Sequence, residues 1–97
     1  MSYTLRQLRA FVAVAENGSV SQAAQALSIS QSAISEAVRD LEADLGVRLF
    51  DRHARGLSVT QRGHQFLRHA HAILAQVAAS RRAVGEGREA LTGALHL

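Results

Sequence analysis

Residues 19–42 read Ser-Val-Ser-Gln-Ala-Ala-Gln-Ala-Leu-Ser-Ile-Ser-Gln-Ser-Ala-Ile-Ser-Glu-Ala-Val-Arg-Asp-Leu-Glu. Apolar residues recur at helical spacing on both sides of residues 28–30, which predicts two helices joined by a tight turn. The second helix opens with small polar side chains that add little to a core but can hydrogen-bond base edges and phosphates. Because a helix-turn-helix presents the N-terminal end of its second helix to the DNA major groove, the stretch indicates a DNA-binding motif.

The residues before this stretch extend the helical pattern towards the N-terminus. Thr4 and Gln7 have the spacing of a capping box and predict the start of a first helix. Residues 17–18 are Asn-Gly, which tolerate positive φ and end that helix. Ser19 and Gln22 repeat the capping-box spacing at the start of the next helix.

A third helix and a hairpin are predicted beyond the turn. Ile29 is expected to enter the core from the turn, Ser30 can cap the third helix, and Gly46 ends it. Residues 47–52 and 56–60 then form short, partly alternating runs around a glycine-containing turn, which is typical of a two-stranded hairpin. A hairpin in this position is the wing of a winged helix-turn-helix, so the predicted fold class is mainly α with a small wing.

A long last helix is predicted over residues 61–90, with Thr60 as its cap. Its apolar positions alternate spacings of four and three, which makes a heptad seam suited to pairing with a second copy. The alternative is a helix that packs only on its own domain, but a helix of this length would outrun so small a core. The expected division is therefore 1–60 for the winged helix-turn-helix, 61–90 for a linker and dimerisation helix, and 91–97 for the start of an absent effector domain. The expected dimer-interface residues are Phe66, Ala70, Ile73, Val77, Ser80 and Val84.

Composition and charge fit this interpretation. The 97 residues are 47% hydrophobic and include no cysteine or proline, which excludes disulfides and thiolate zinc sites and favours helices. No apolar run approaches the length of a membrane span, and no signal peptide precedes the first helix, so a cytoplasmic protein is expected. The net charge of +3 divides into −2 for residues 1–47 and +5 for residues 48–97. Five arginines lie between Arg48 and Arg68 with Asp51 as the only acidic residue, a basic region suited to phosphates or simply to solvent.

With these elements placed, the chain resembles the DNA-binding domain of LysR-type transcriptional regulators over residues 3 to about 90. Motifs this numerous and in this order are highly specific. The resemblance implies a winged helix-turn-helix, a homodimer through the linker helix, usual assembly to a tetramer, and a C-terminal domain that binds a small-molecule effector and is absent here. The matching segments are residues 5–19, 23–27, 30–35, 39–42, 45–52 and 57–60, together with Gly63.

The resemblance is weakest in the third predicted helix, which is the recognition helix of the helix-turn-helix. The family often has proline where Ser32 stands, and a basic residue followed by glutamine where Glu36 and Ala37 stand. Ser32 is well tolerated early in a helix. Glu36 can accept a hydrogen bond from cytosine N4 but repels phosphate, so it is expected to alter the preferred bases.

The residues expected to contact double-stranded DNA fall into two groups. Arg39 has a competing role in an ion pair with Glu36 or Glu42, and Ser19 and Ser30 can instead serve only as helix caps. Bases are expected to be read by Gln31, Ser32, Ser35, Glu36 and Arg39. Phosphates or the minor groove are expected to be contacted by Ser19, Ser21, Gln22, Ser30, Arg52, His53 and Arg55.

Two rival functions remain open on the sequence. An enzyme is disfavoured because no Gly-x-Ser-x-Gly motif is present, and His69 and His71 point to different sides of a helix, a poor arrangement for a metal. No cofactor, metal or membrane partner is expected. A pure protein–protein dimerisation module would use the heptad seam but leave the polar start of the third helix and the arginine-rich hairpin without a role.

Overall fold

The computed structural model describes residues 2–85, which form four helices and one antiparallel hairpin. The predicted fold class is confirmed: the chain is a mainly helical winged helix-turn-helix followed by a long helix. No helix among the described residues has the length and apolar character needed to cross a membrane. The elements are α1 (Leu5–Asn17), α2 (Val20–Leu27), α3 (Gln31–Leu45), β1 (Phe50–His53), β2 (Gly56–Val59) and α4 (Gln61–Val84).

Short-range polar contacts set the ends of α1 and the start of α2. Gln7 N donates to Thr4 Oγ1 at 3.1 Å, and Thr4 N donates to Gln7 Oε1 at 3.0 Å, which completes the predicted capping box. Gly18 ends α1 in the left-handed region, with φ of 69°. At α2 only one of the two expected contacts forms: Gln22 N donates to Ser19 Oγ at 3.1 Å.

The turn between α2 and α3 differs from the prediction at one residue. Ser28 adopts φ of 59°, and Ile29 N donates to Ala24 O at 3.1 Å, so the C-terminal cap of α2 fixes the backbone of the turn. This backbone leaves the Ile29 side chain 40% exposed, and the expectation that it fills the core is wrong. Ser30 caps α3 as predicted, by accepting from Ala33 N at 3.1 Å.

The core centres on Phe11 of α1, which is fully buried. Its ring lies 5.4 Å from the ring of Phe50 in the hairpin and 5.5 Å from that of Phe66 in α4. Pairs of aromatic rings at these separations add to the stabilisation from apolar burial. Phe11 therefore links three parts of the fold, while Ile34 and Leu41 of α3 pack on the same cluster.

The hairpin is tied to the start of α4 by Thr60. Thr60 N donates to Leu49 O at 3.0 Å, and its hydroxyl donates to Arg48 O at 2.7 Å. The same hydroxyl accepts from Gly63 N at 2.9 Å and so caps α4. These contacts join the wing and α4 into one packed unit.

The first half of α4 packs on its own domain, which conflicts with the predicted dimer seam at Ala70. Ala70 is fully buried in the core, and Phe66 makes an edge-to-face contact with Tyr3 at 5.8 Å. Ile73 also packs against the core. Ala70 is therefore not accessible to a second copy. Helical periodicity shows which face of α4 is apolar, but not how far along the helix the domain's own core extends.

The second half of α4 is more open. Val77 is half-buried and Val84 is 83% exposed, while the Ser80 hydroxyl donates to Val77 O at 2.8 Å. The helix ends at Val84. The remainder of the predicted helix, residues 86–90, and the predicted start of a further domain, residues 91–97, lie outside the described residues.

Candidate nucleic-acid interface

The N-terminal turn of α3 presents polar side chains to solvent. Gln31 and Ser32 are exposed, and no hydrogen bond to the side-chain amide of Gln31 forms within residues 2–85. Ser30 Oγ lies 3.3 Å from Ser32 Oγ besides capping the helix. The Ser30 hydroxyl is thus already hydrogen-bonded within α3. The side-chain amide of Gln31 has its donors and its acceptor available for another molecule.

The next two turns of α3 divide the remaining predicted base-reading residues between two grooves. Ser35 and Arg39 line a cleft that opens towards the hairpin. Glu36 lies on a different groove, which α3 forms with Arg6 and Gln7 of α1. The structure therefore brings Ser35 and Arg39 to one cleft, while Glu36, three residues before Arg39, stays next to Arg39 on the exposed surface of α3.

Arg39 has no acidic partner among the described residues. It is exposed, and neither of the predicted ion pairs, with Glu36 or with Glu42, forms in this part of the chain. The alternative role considered for Arg39 is therefore not adopted. Its guanidinium group is available to a ligand that carries negative charge or hydrogen-bond acceptors.

The cleft between α3 and the hairpin has a volume of about 240 Å³. Its polar lining comprises Ser35, Arg39 and Glu42 from α3, and Arg48 and Arg52 from the hairpin side. Its floor is apolar and includes Val14, Val20, Val38, Phe50 and Leu57. Glu42 is the one acidic group of this lining, and its carboxylate accepts from two backbone amides, so the arginines give the two edges of the cleft a positive balance that favours an anionic ligand.

Arg48 and Arg52 differ in how far they are neutralised. Arg48 Nη2 lies 3.5 Å from Asp51 Oδ1 and donates to Phe50 O at 3.3 Å. Arg52 is exposed and forms no ion pair within the described part of the chain. Within residues 2–85, Arg52 therefore keeps its positive charge unpaired, whereas that of Arg48 is partly neutralised.

The remaining wing residues lie around the hairpin turn. His53 pairs with Gly56 across the turn, and Arg55 lies within it. Both His53 and Arg55 are exposed. A turn that projects from the domain with an exposed arginine is suited to a phosphate or a narrow groove.

The start of α2 contributes fewer free groups than predicted. Ser19 is half-buried and its hydroxyl accepts from Gln22 N, which is the capping role that was left open. Ser21 and the side chain of Gln22 are exposed. A backbone phosphate could therefore be met there by these two side chains and by the remaining free N–H groups of the helix start.

Glu42 is the residue of this site that the sequence did not single out. The sequence suggests Glu42 only as an ion-pair partner of Arg39, but its carboxylate is half-buried and accepts from Leu49 N at 2.7 Å and from Phe50 N at 3.2 Å. The two amides lie outside α3, so no local spacing rule indicates this contact. Glu42 thus connects α3 directly to the first strand of the hairpin.

The sequence is similar to known regulators over most of its length. Residues 5–64 match the family described as "Bacterial regulatory helix-turn-helix protein, lysR family". The chain is 45% identical over 94 residues to the "Probable hydrogen peroxide-inducible genes activator" of Mycobacterium xenopi, covering 97% of this chain and 50% of that protein. It is 44% identical over 100 residues to the HTH-type transcriptional regulator ClcR of Pseudomonas putida, covering 95% and 34%. The chain thus spans half or less of the length of these relatives, and both are regulators of gene expression by their names.

Solved structures show the same fold. A crystal structure of a CbnR_DBD–DNA complex superposes with a TM-score of 0.76 at 45% identity, covering 79% of this chain and 88% of that one. The oxidized form of Corynebacterium glutamicum OxyR superposes with a TM-score of 0.78 at 40% identity, covering 81% of this chain and 26% of that one. The chain therefore belongs to the LysR family of bacterial regulatory helix-turn-helix proteins.

Proposed function

We propose that this LysR-family domain binds double-stranded DNA as a homodimer and recognises an interrupted inverted repeat. One observation carries the proposal: the guanidinium groups of Arg39 and Arg52, neither of which forms an ion pair within residues 2–85, line one cleft beside the polar start of α3. The related CbnR domain has been crystallised in complex with DNA, which supports the same class of ligand for this chain.

In this proposal α3 lies in the major groove and reads bases. Gln31 can bond adenine through two hydrogen bonds, and Arg39 can bond guanine in the same way. Ser32 and Ser35 can donate to or accept from either kind of base pair. Glu36 lies three residues before Arg39 on the exposed surface of α3, so it can face the same DNA and accept from cytosine N4.

The wing and the start of α2 hold the DNA backbone. Arg52 and Arg55 contact phosphates or enter the minor groove, with His53 as a weaker contact. Ser21, Gln22 and the N-terminal amides of α2 approach a phosphate from the other side. Contacts of this kind fix the position of α3 and make the affinity depend strongly on salt, because each neutralised phosphate releases counterions.

The second half of α4 supplies the dimer contact. Val77, Ser80 and Val84 follow one another at spacings of three and four residues and so share one face of the helix. Val84 is a large apolar side chain with most of its surface in water, which a second copy would cover. A dimer with two α3 helices predicts half-sites separated by about one turn of DNA, or by a multiple of it.

The remaining properties belong to a longer protein. Since the chain spans half or less of its relatives, we assign small-molecule sensing and assembly to a tetramer to segments beyond this domain. A cytoplasmic location follows from the proposed role in transcription. These assignments rest on family membership and not on any described contact.

Selection from random duplex DNA at two salt concentrations tests the proposal. An enriched inverted repeat, bound less tightly at the higher salt, is the expected result. Enrichment of a single half-site would contradict the dimer but retain DNA reading by α3. Absence of binding at both salts would contradict the DNA proposal and favour a dimerisation module.

A further inference from the structure

Glu42 holds the first strand of the wing against the recognition helix. A single carboxylate oxygen, Oε2, accepts from two consecutive backbone amides, Leu49 N at 2.7 Å and Phe50 N at 3.2 Å. Hydrogen bonds to an ionised acceptor are stronger than those between neutral groups. The half-buried position of Glu42 limits competition from water.

The pairing pattern of the hairpin explains why Phe50 N is available to Glu42. Thr60 N donates to Leu49 O, and Phe50 faces Val59 in the antiparallel register. Hydrogen-bonded and non-bonded pairs alternate along such a ladder, so Phe50 and Val59 form a non-bonded pair. The Phe50 amide therefore points away from β2 and needs a partner outside the hairpin.

Fixing this amide also fixes Arg52. Phe50 and Arg52 are two residues apart on β1, so their side chains lie on the same face of the strand. Both line the cleft that Ser35 and Arg39 border from α3. A two-stranded hairpin with strands of four residues is only marginally stable alone. Its orientation relative to α3 consequently depends on contacts such as that of Glu42.

We propose that Glu42 is a positioning residue that sets the distance between the wing and the recognition helix, so that Arg52 reaches the DNA backbone while α3 occupies the major groove. The proposal rests on the proposed function for its effect on DNA. The anchoring contact itself can be measured without DNA.

Three variants separate the contact from the charge. Glu42→Ala removes the acceptor, whereas Glu42→Gln keeps one carbonyl oxygen, which is sufficient because both amides donate to the same atom. Asp40→Ala is the control for loss of one negative charge from α3, since Asp40 is exposed and forms no ion pair or hydrogen bond among the described residues.

Amide hydrogen exchange measures the anchor in the free protein. Glu42→Ala should accelerate exchange of the Leu49 and Phe50 amides more than that of core amides in α1. Glu42→Gln should retain most of the protection, and Asp40→Ala should leave it unchanged. If the Leu49 and Phe50 amides exchange at the same rates in Glu42→Ala as in the wild type, the proposal is overturned.

Titration with the selected DNA repeat measures the consequence for binding. Glu42→Ala should weaken binding about tenfold and reduce the salt dependence, as loss of about one to two phosphate contacts would. The preference for bases read by α3 should remain, and Glu42→Gln should bind nearly as wild type does. If the preference for the correct bases falls by the same factor as the affinity, the proposal is overturned, because such a result would indicate general disruption of the fold.

A double-mutant cycle tests whether Glu42 acts through the wing. Adding Glu42→Ala to the Arg52→Ala, Arg55→Ala variant should cause little further loss, because the contacts that Glu42 positions are already gone. Fully additive losses would show that Glu42 acts elsewhere. If the wild-type protein binds no DNA, the proposed function is wrong, while hydrogen exchange still decides whether Glu42 anchors the wing.

Discussion

The α-carbon of Gly63 lies against the backbone carbonyl of Leu49, and no side-chain carbon fits between them. A Cβ built on Gly63 overlaps the Leu49 oxygen and lies 2.7 Å from Val59 Cγ1. Since the obstacle includes backbone, it cannot move aside as a flexible side chain can. This close approach lets α4 start directly beneath the hairpin.

Replacing Gly63 should therefore destabilise the domain. Gly63→Ala is expected to lower the free energy of unfolding by about 1–3 kcal/mol, as overpacking of a core does. Thermal unfolding followed by circular dichroism measures the change. Gly85→Ala is the control, because that glycine has extended φ and open space around it, and its melting temperature should match wild type. Equal melting of Gly63→Ala and wild type would contradict the described packing of α4 on the hairpin.

The arginines of the wing should contribute unequally to DNA affinity. Arg52→Ala is expected to reduce the slope of log affinity against log salt by about 0.9, the value for one phosphate contact. Arg48→Ala should change the slope less, because Arg48 already pairs with Asp51. Fluorescence anisotropy over a range of salt concentrations measures both slopes. A larger effect of Arg48→Ala than of Arg52→Ala would refute the assignment.

Gln31 should affect base preference without changing the salt slope. Gln31→Ala is expected to reduce discrimination at one base pair by about 1–3 kcal/mol, because it removes a two-bond contact to a base. Competition between repeats that differ at single positions measures this loss. Gln65→Ala, at an exposed position on α4, provides the control and should retain the full preference. Unchanged discrimination by Gln31→Ala would remove Gln31 from the reading residues.

The second half of α4 should control dimerisation. Val77→Arg combined with Val84→Arg is expected to yield monomers, because a charged group buried in an apolar contact lacks a partner. Ala75→Arg adds charge at an exposed position about 200° around the helix from Val77 and should leave the dimer intact. Sedimentation velocity distinguishes the two states. Dimers that persist in the double variant would place the interface elsewhere.

Local sequence signals were sufficient to predict the starts of the four helices and the ends of α1 and α3, but not the end of α4, which stops at Val84 and not at residue 90. Thr4, Ser30 and Thr60 each provide an oxygen for a free backbone amide at a helix start, and Gly18 and Gly46 supply the left-handed conformation at a helix end. These contacts span only three or four residues. They can therefore be identified from spacing alone, and most of the fold follows from them.

Contacts between elements were harder to predict. Helical periodicity identified the apolar face of α4, but it could not tell that Ala70 meets the chain's own core rather than a second copy. The role of Glu42 depends on amides seven and eight residues further along, beyond the end of its helix. The two grooves that border Glu36 and Arg39 likewise depend on what packs beside α3.

Base reading by α3 is tested most directly by comparing the affinity of the domain for its selected repeat with its affinity for scrambled DNA of equal length, over a range of salt concentrations. The repeat is expected to bind at least about tenfold more tightly at every salt concentration, a difference of about 1.4 kcal/mol. Both affinities are expected to fall steeply as the salt concentration rises. Equal affinities would contradict base reading by α3, and a flat salt response would contradict backbone contacts by the wing.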